Sequence, residues 1–291
     1  MKIAAYLDQG RPCAGIVSSD LQSILPLELP VADRVRGALP IVELLAEGRP
    51  MPPTGAPIAL AAVKLIAPVP RPRRNIFCVG KNYHAHAREF AGSGFDSSAK
   101  SGGDIPAVPI YFTKVPESVI GPGEPIVIVP AVSTSIDYEA ELTVVIGRGG
   151  KGIKAADAMK HVWGYTIIND VTARDWQSRH LQWVLGKSFD TFCPMGPWLV
   201  SADECDGTNT GVRCYVNGEK RQNVSTTDLI FDIPTLIETL SAGITLYPGD
   251  LIATGTPVGV GIGFKPPKYL KAGDVVRIEI DGIGVLENPV R

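Results

Sequence analysis

Apolar and polar residues alternate most clearly from Asp137 to Gly147, in Asp137-Tyr138-Glu139-Ala140-Glu141-Leu142-Thr143-Val144-Val145-Ile146-Gly147. Read with period two, this stretch predicts a strand. Tyr138, Ala140, Leu142, Val144 and Ile146 share one apolar face, and Glu139 and Glu141 share the other. Val162 to Asn169 predicts a buried strand with Asp170 at its end. Val171 to Gln177 has no Gly or Pro and can turn straight into a helix. Asn75 to Gly80 predicts a short strand that runs into a helix starting near Asn82. Pro109 to Lys114 predicts another strand. Asp232-Ile233-Pro234 opens a helix, with Asp232 as its cap and Gly243 as its stop.

Turn pairs punctuate the C-terminal half. Asn217-Gly218 between Val216 and Lys220 is a strong hairpin signal. Gly273-Asp274 and Asp281-Gly282 interrupt further strand-like runs. The chain therefore reads as mostly β with a few helices. Residues 1–70 read as a small separate unit, with a hairpin across Asp8 to Pro12 and helical patterns at Val31 to Gly48. A Pro-rich stretch from Leu65 to Pro72 marks the boundary with residues 71–291.

Composition narrows the function classes. Of the 291 residues, 45% are hydrophobic and 20% charged, which is ordinary for a globular protein. A net charge of -2 gives no electrostatic case for nucleic acid or an anionic membrane. The first residues enter a strand pattern without a secretory layout. The five cysteines are scattered with no Cys-x-x-Cys, so a cytoplasmic location without disulfides or zinc knuckles is expected.

Candidate chemistry concentrates in the acids. Two carboxylates side by side on a strand repel each other. Such a pair fits a solvated edge, a protonated acid, or a cation between them, and hard divalent ions take oxygen ligands. Asp170, at a strand end, is a third acid of the kind that binds ligands. His86 and Glu89 stand three residues apart and share a helix face, so Glu89 can orient His86 as a general base. A solvated surface helix with an incidental His fits the same spacing. Lys187 sits in the apolar run from Trp183 to Phe189, where a lysine needs a polar partner or reaches out to solvent. The Gly/Ser-rich stretch 91–108 has the layout of a lid. The Gly-rich turn from Thr254 to Gly261 suits an anion such as a carboxylate.

These residues carry a resemblance. The chain resembles the fumarylacetoacetate hydrolase superfamily through Val79-Gly80-Lys81-Asn82-Tyr83, Tyr138-Glu139-Ala140-Glu141-Leu142, Asn169 to Asp175, Gly186-Lys187-Ser188-Phe189, Val216 to Glu219 and Thr254-Gly255-Thr256-Pro257. These stretches run in order across residues 70 to 290, and residues 1–70 resemble the small N-terminal domain of longer members. The resemblance implies a mixed β-sandwich roll, assembled as a homodimer. It implies Glu139, Glu141 and Asp170 as ligands of Mg²⁺ or Mn²⁺. His86 and Glu89 match the dyad of the acylpyruvase-like branch, and Lys187 matches the active-site lysine. Arg174 and Gln177 match positions lining the site, and Thr256 one that contacts the substrate carboxylate. The Gly/Ser insertion at 91–104 departs from compact acylpyruvases.

The activity expected from this resemblance is metal-dependent hydrolysis of a C–C bond in a 2,4-dioxo acid, giving pyruvate and a carboxylic acid. The same site also suits tautomerisation or other isomerisation, decarboxylation of an oxaloacetate-like acid, or dehydration of a 2-keto-3-deoxy sugar acid. A metal-dependent binding protein without catalysis is a reading of another class. The coincidence of acid triad, His–Glu pair and Lys argues against it.

Overall fold

The computed structural model describes residues 1–91 and 105–291. The expected lid falls largely on residues 92–104, outside the described residues. The N-terminal part contains β1 (Lys2–Asp8), β2 (Arg11–Val17), β3 (Ser23–Pro26), α1 (Val31–Arg34), α2 (Leu39–Ala46), β4 (Ile58–Ala59) and β5 (Lys64–Ile66). Next come β6 (Ile76–Gly80), α3 (His84–Ala91), β7 (Ile110–Lys114), β8 (Val119–Ile120), β9 (Ile136–Asp137) and β10 (Ala140–Ile146). They lead into α4 (Ala155–Ala158), β11 (Val162–Asn169), β12 (Thr172–Ala173), α5 (Arg174–Arg179), α6 (Val184–Lys187) and β13 (Cys193–Ser201). The chain closes with β14 (Gly211–Val216), β15 (Glu219–Ser225), α7 (Ile233–Ser241), β16 (Leu251–Ala253), β17 (Val275–Ile280) and β18 (Gly284–Pro289).

The fold is mostly β, as the turn chemistry predicted. A mixed sheet runs β4-β3-β2-β1-β13-β11-β10-β16-β6-β7, and a four-stranded sheet runs β15-β14-β17-β18. The N-terminal strands join the large sheet through β1, which pairs antiparallel with β13 at Lys2↔Val200 and Ile3↔Leu199. Asn217 and Gly218 both have positive φ (52° and 79°), as the predicted two-residue turn between β14 and β15 requires.

β10 is buried at every position and so is Glu139 just before it, which removes the solvated-edge reading of Glu139 and Glu141. Ala140, Leu142, Val144 and Ile146 pack with Val212, Val276 and Ile278 of the four-stranded sheet. Val145, on the opposite face, packs with Leu39, Ile41 and Leu251. Two layers therefore enclose the strand, and alternation alone shows only one of them.

Asp232 caps α7 as expected, its carboxylate accepting from the Thr235 N–H at 2.9 Å. Asp232→Ala is expected to cost about 1 kcal/mol, the usual worth of an N-cap. Urea denaturation measures this, and an unchanged midpoint would show that the cap contributes nothing.

Candidate active site

The acid cluster is built by the β10–β11 pairing. Ala140 pairs with Asn169, so the residues flanking each strand meet. The Glu139 N–H donates to Asn169 Oδ1 at 3.0 Å, and the Asp170 N–H donates to the Glu139 carbonyl at 2.9 Å. Glu141 accepts from the Gly255 N–H at 2.9 Å. One oxygen from each of Glu139, Glu141 and Asp170 lies within 4.8 Å of the others, and all three residues are buried.

Basic side chains surround this cluster. Lys187 Nζ lies 2.6 Å from Glu139 Oε2 and 2.7 Å from Asp170 Oδ2. Lys114 Nζ lies 2.6 Å from Asp170 Oδ1, and it also donates to the Val171 carbonyl at 3.1 Å and to the Lys187 carbonyl. Arg174 Nη2 is 2.6 Å from Glu139 Oε1, at an angle that makes an ion pair without a hydrogen bond. Its Nε donates to Asp137 Oδ2 at 2.9 Å, and its Nη1 to Gln177 Oε1 at 3.1 Å. α6 delivers Lys187 because Gly186 lets it touch α5. A Cβ at Gly186 would stand 2.5 Å from the Gln177 backbone nitrogen.

The charges split the acids. Burial works against ionisation of Glu139, but Lys187, Arg174 and His86 outweigh it and hold this carboxyl down at about 2. Burial raises Glu141 well above the usual carboxylate range, and the charges of Asp170 and Glu139 raise it further. Burial would lower the Lys187 ammonium, but Asp170 and Glu139 more than offset this and raise it.

His86 lies on α3 with Nδ1 3.1 Å from Glu89 Oε2. Glu89 is itself anchored by the Gly259 N–H at 3.1 Å. Gly263 leaves room for it, since a Cβ there would sit 1.9 Å from Glu89 Oε1. Thr256 Oγ1 accepts from Gln222 Nε2 at 2.8 Å.

One pocket collects these groups. His86, Glu139, Glu141, Arg174, Gln177, Lys187 and Thr256 line it, and Lys81, Phe90, Phe112 and Trp183 complete its wall. Glu89 and Asp170 stand behind the lining, each touching a residue that forms it. The structure thus brings together all the residues singled out in the sequence. Three supporting residues escaped the sequence reading. Asp137 holds Arg174, Lys114 holds Asp170, and Gln222 holds Thr256. Lys114 carries a readable signal, because a lysine closing an apolar strand raises the same question as Lys187.

Residues 75–291 match the family described as fumarylacetoacetate (FAA) hydrolase, C-terminal. The chain belongs to this family. It is 52% identical over 233 residues to oxaloacetate tautomerase YisK of Bacillus subtilis, covering 80% of this chain and 74% of that protein. It is 48% identical over 231 residues to a mitochondrial oxaloacetate tautomerase of Xenopus laevis, covering 78% of this chain and 68% of that protein. Among solved structures, a fumarylacetoacetate hydrolase from psychrophilic Exiguobacterium antarcticum superposes with a TM-score of 0.83 at 39% identity, covering 100% of this chain and 99% of that one.

The protein is an enzyme of this superfamily, but the expected C–C hydrolase activity is overturned. The relatives at 52% and 48% identity are named as oxaloacetate tautomerases, in line with the alternative set beside hydrolysis. The physical reason is that the motifs describe how a 2-oxo acid is bound and polarised. They do not describe whether a bond then breaks.

The buried triad could bind a metal, and enzymes of this family use divalent metals. The residues fit such an ion: the donors are hard oxygens, and Glu141 stays reluctant to ionise despite the cations nearby. A cation among the three carboxyls would remove that reluctance. No helix among the described residues is long and apolar enough to cross a membrane.

Proposed function

We propose that the protein interconverts the keto and enol forms of oxaloacetate or a similar short 2-oxo dicarboxylic acid, using Mg²⁺ or Mn²⁺. The observation that carries this reading is the content of the pocket. Glu139 and Glu141, with Asp170 behind them, share one pocket with a histidine fixed through Nδ1 and with lysine and arginine side chains. The similarity to oxaloacetate tautomerase YisK supports the same substrate class.

Tautomerisation moves one proton from C3 and places one on the 2-oxo oxygen, and no bond between heavy atoms breaks. Glu89 engages His86 Nδ1, which leaves Nε2 to take the C3 proton and return it. Lys187 presents an ammonium to the oxygen that gains negative charge. Arg174, Gln177 and Thr256 orient the carboxylates of the acid from the pocket wall. An ion held by Glu139, Glu141 and Asp170 would polarise the 2-oxo group.

The test follows the enol absorbance of oxaloacetate with Mg²⁺ or Mn²⁺ present. Enol-to-keto conversion well above the rate in buffer is expected. A rate equal to buffer, or release of CO₂ as the sole catalysed change, would overturn the reading.

A further inference from the structure

The contacts around the triad are not equivalent. Each oxygen of Glu139 and Asp170 meets a basic nitrogen: Arg174 at Glu139 Oε1, Lys187 at Glu139 Oε2 and Asp170 Oδ2, and Lys114 at Asp170 Oδ1. A divalent cation held by these carboxylates therefore has to share or displace one of these contacts.

Their anchoring decides which contact yields. Lys114 is fully buried and spends its remaining donors on the carbonyls of Val171 and Lys187. Moving it would strand two carbonyls and a buried charge. Arg174 is tied by Asp137 and Gln177 and could not leave Glu139 without breaking those bonds too. The ammonium of Lys187 bonds to the two carboxylates that a metal would use, and its other contact is with the face of the Phe112 ring, 4.9 Å from Nζ to the ring centre. It also lines the pocket, so it has somewhere polar to go.

We propose that Lys187 is an exchangeable counter-ion, releasing Glu139 Oε2 and Asp170 Oδ2 when a divalent cation is held by the triad, while Lys114 is the fixed one that keeps Asp170 aimed at the site. This rests on the metal-dependent reading above and adds a division of labour between two lysines. Metal loading and delivery of an ammonium to the substrate then become one event. The lysine reaches a 2-oxo acid once the site is loaded, and otherwise neutralises the acids.

Mn²⁺ titration calorimetry on the full chain tests this with opposite signs for the two lysines. Lys187→Met is expected to bind Mn²⁺ about ten-fold more tightly than the parent, having lost the competitor. Lys114→Met is expected to bind about ten-fold more weakly, the size of effect seen when a group orienting a metal ligand is lost. Lysines that merely supported the fold would weaken binding in both variants. Equal or weaker binding by Lys187→Met would overturn the proposal. A parent that binds no Mn²⁺ would overturn the metal reading itself, which is a different result. A crystal structure of the Mn²⁺-loaded parent decides the matter if a variant does not fold. Lys187 Nζ beyond about 3.5 Å from both carboxylates supports exchange, and Nζ still bonded to both overturns it.

Discussion

His86→Ala is expected to slow oxaloacetate tautomerisation by on the order of 10²–10⁴-fold, the usual worth of a positioned general base. His86 is buried on α3, and Glu89 holds its Nδ1 while Gly259 holds Glu89. This chain of contacts fixes the ring so that Nε2 is the group free to exchange protons. Mn²⁺ affinity should stay close to that of the parent, because His86 is not one of the three clustered acids. The loss should therefore fall on kcat. Enol decay rates at saturating substrate and Mn²⁺ measure this. A variant within about three-fold of the parent would remove His86 from the proton transfer and leave the ion and Lys187 to account for catalysis, since three-fold is far below the usual effect of a base.

The second large effect concerns stability and a residue the chain gives no reason to notice. Asp137→Ala is expected to cost about 3–5 kcal/mol, as breaking a buried ion pair from one side does. Asp137 is fully buried and accepts from Arg174 Nε at 2.9 Å, from the Gly261 N–H at 2.6 Å and from the Ile262 N–H at 3.0 Å. Alanine would leave the buried guanidinium of Arg174 with a single carboxylate and would orphan two backbone donors in the loop bordering the site. Urea unfolding of parent and variant measures the difference. A loss below about 1 kcal/mol, the net worth of one ordinary hydrogen bond, would mean that water or a neighbour replaces Asp137.

How much of this was legible follows from the range of each interaction. The alternation from Tyr138 to Ile146 and the acid after Asn169 are local patterns, and the triad was readable from them. His86 and Glu89 were readable because a helix places residues three apart on one face. The faces of β10 were read less well, because a strand's own sequence does not say that a second sheet covers it. Lys114 and Asp137 gain their meaning from partners far along the chain. Lys114 meets Asp170 across 56 positions, and Asp137 meets Ile262 across 125. Periodicity carries no information at that range. The fate of the substrate lay furthest out of reach, since hydrolysis and tautomerisation ask for the same polarised 2-oxo acid.

One amide has a consequence for how this protein can change over generations. Gln222 on β15 accepts from the Ala140 N–H at 3.1 Å and donates to Thr256 Oγ1 and the Pro257 carbonyl, both at 2.8 Å. It stitches the four-stranded sheet to the strand carrying Glu141 and to the pocket wall at Thr256. Positions 222 and 256 therefore cannot drift separately. A residue at 256 without a hydroxyl leaves a Gln222 N–H unpaired, and one at 222 without an amide leaves the Ala140 N–H unpaired, so a lineage that removes the hydroxyl from this wall has to rewrite the small sheet in the same stroke.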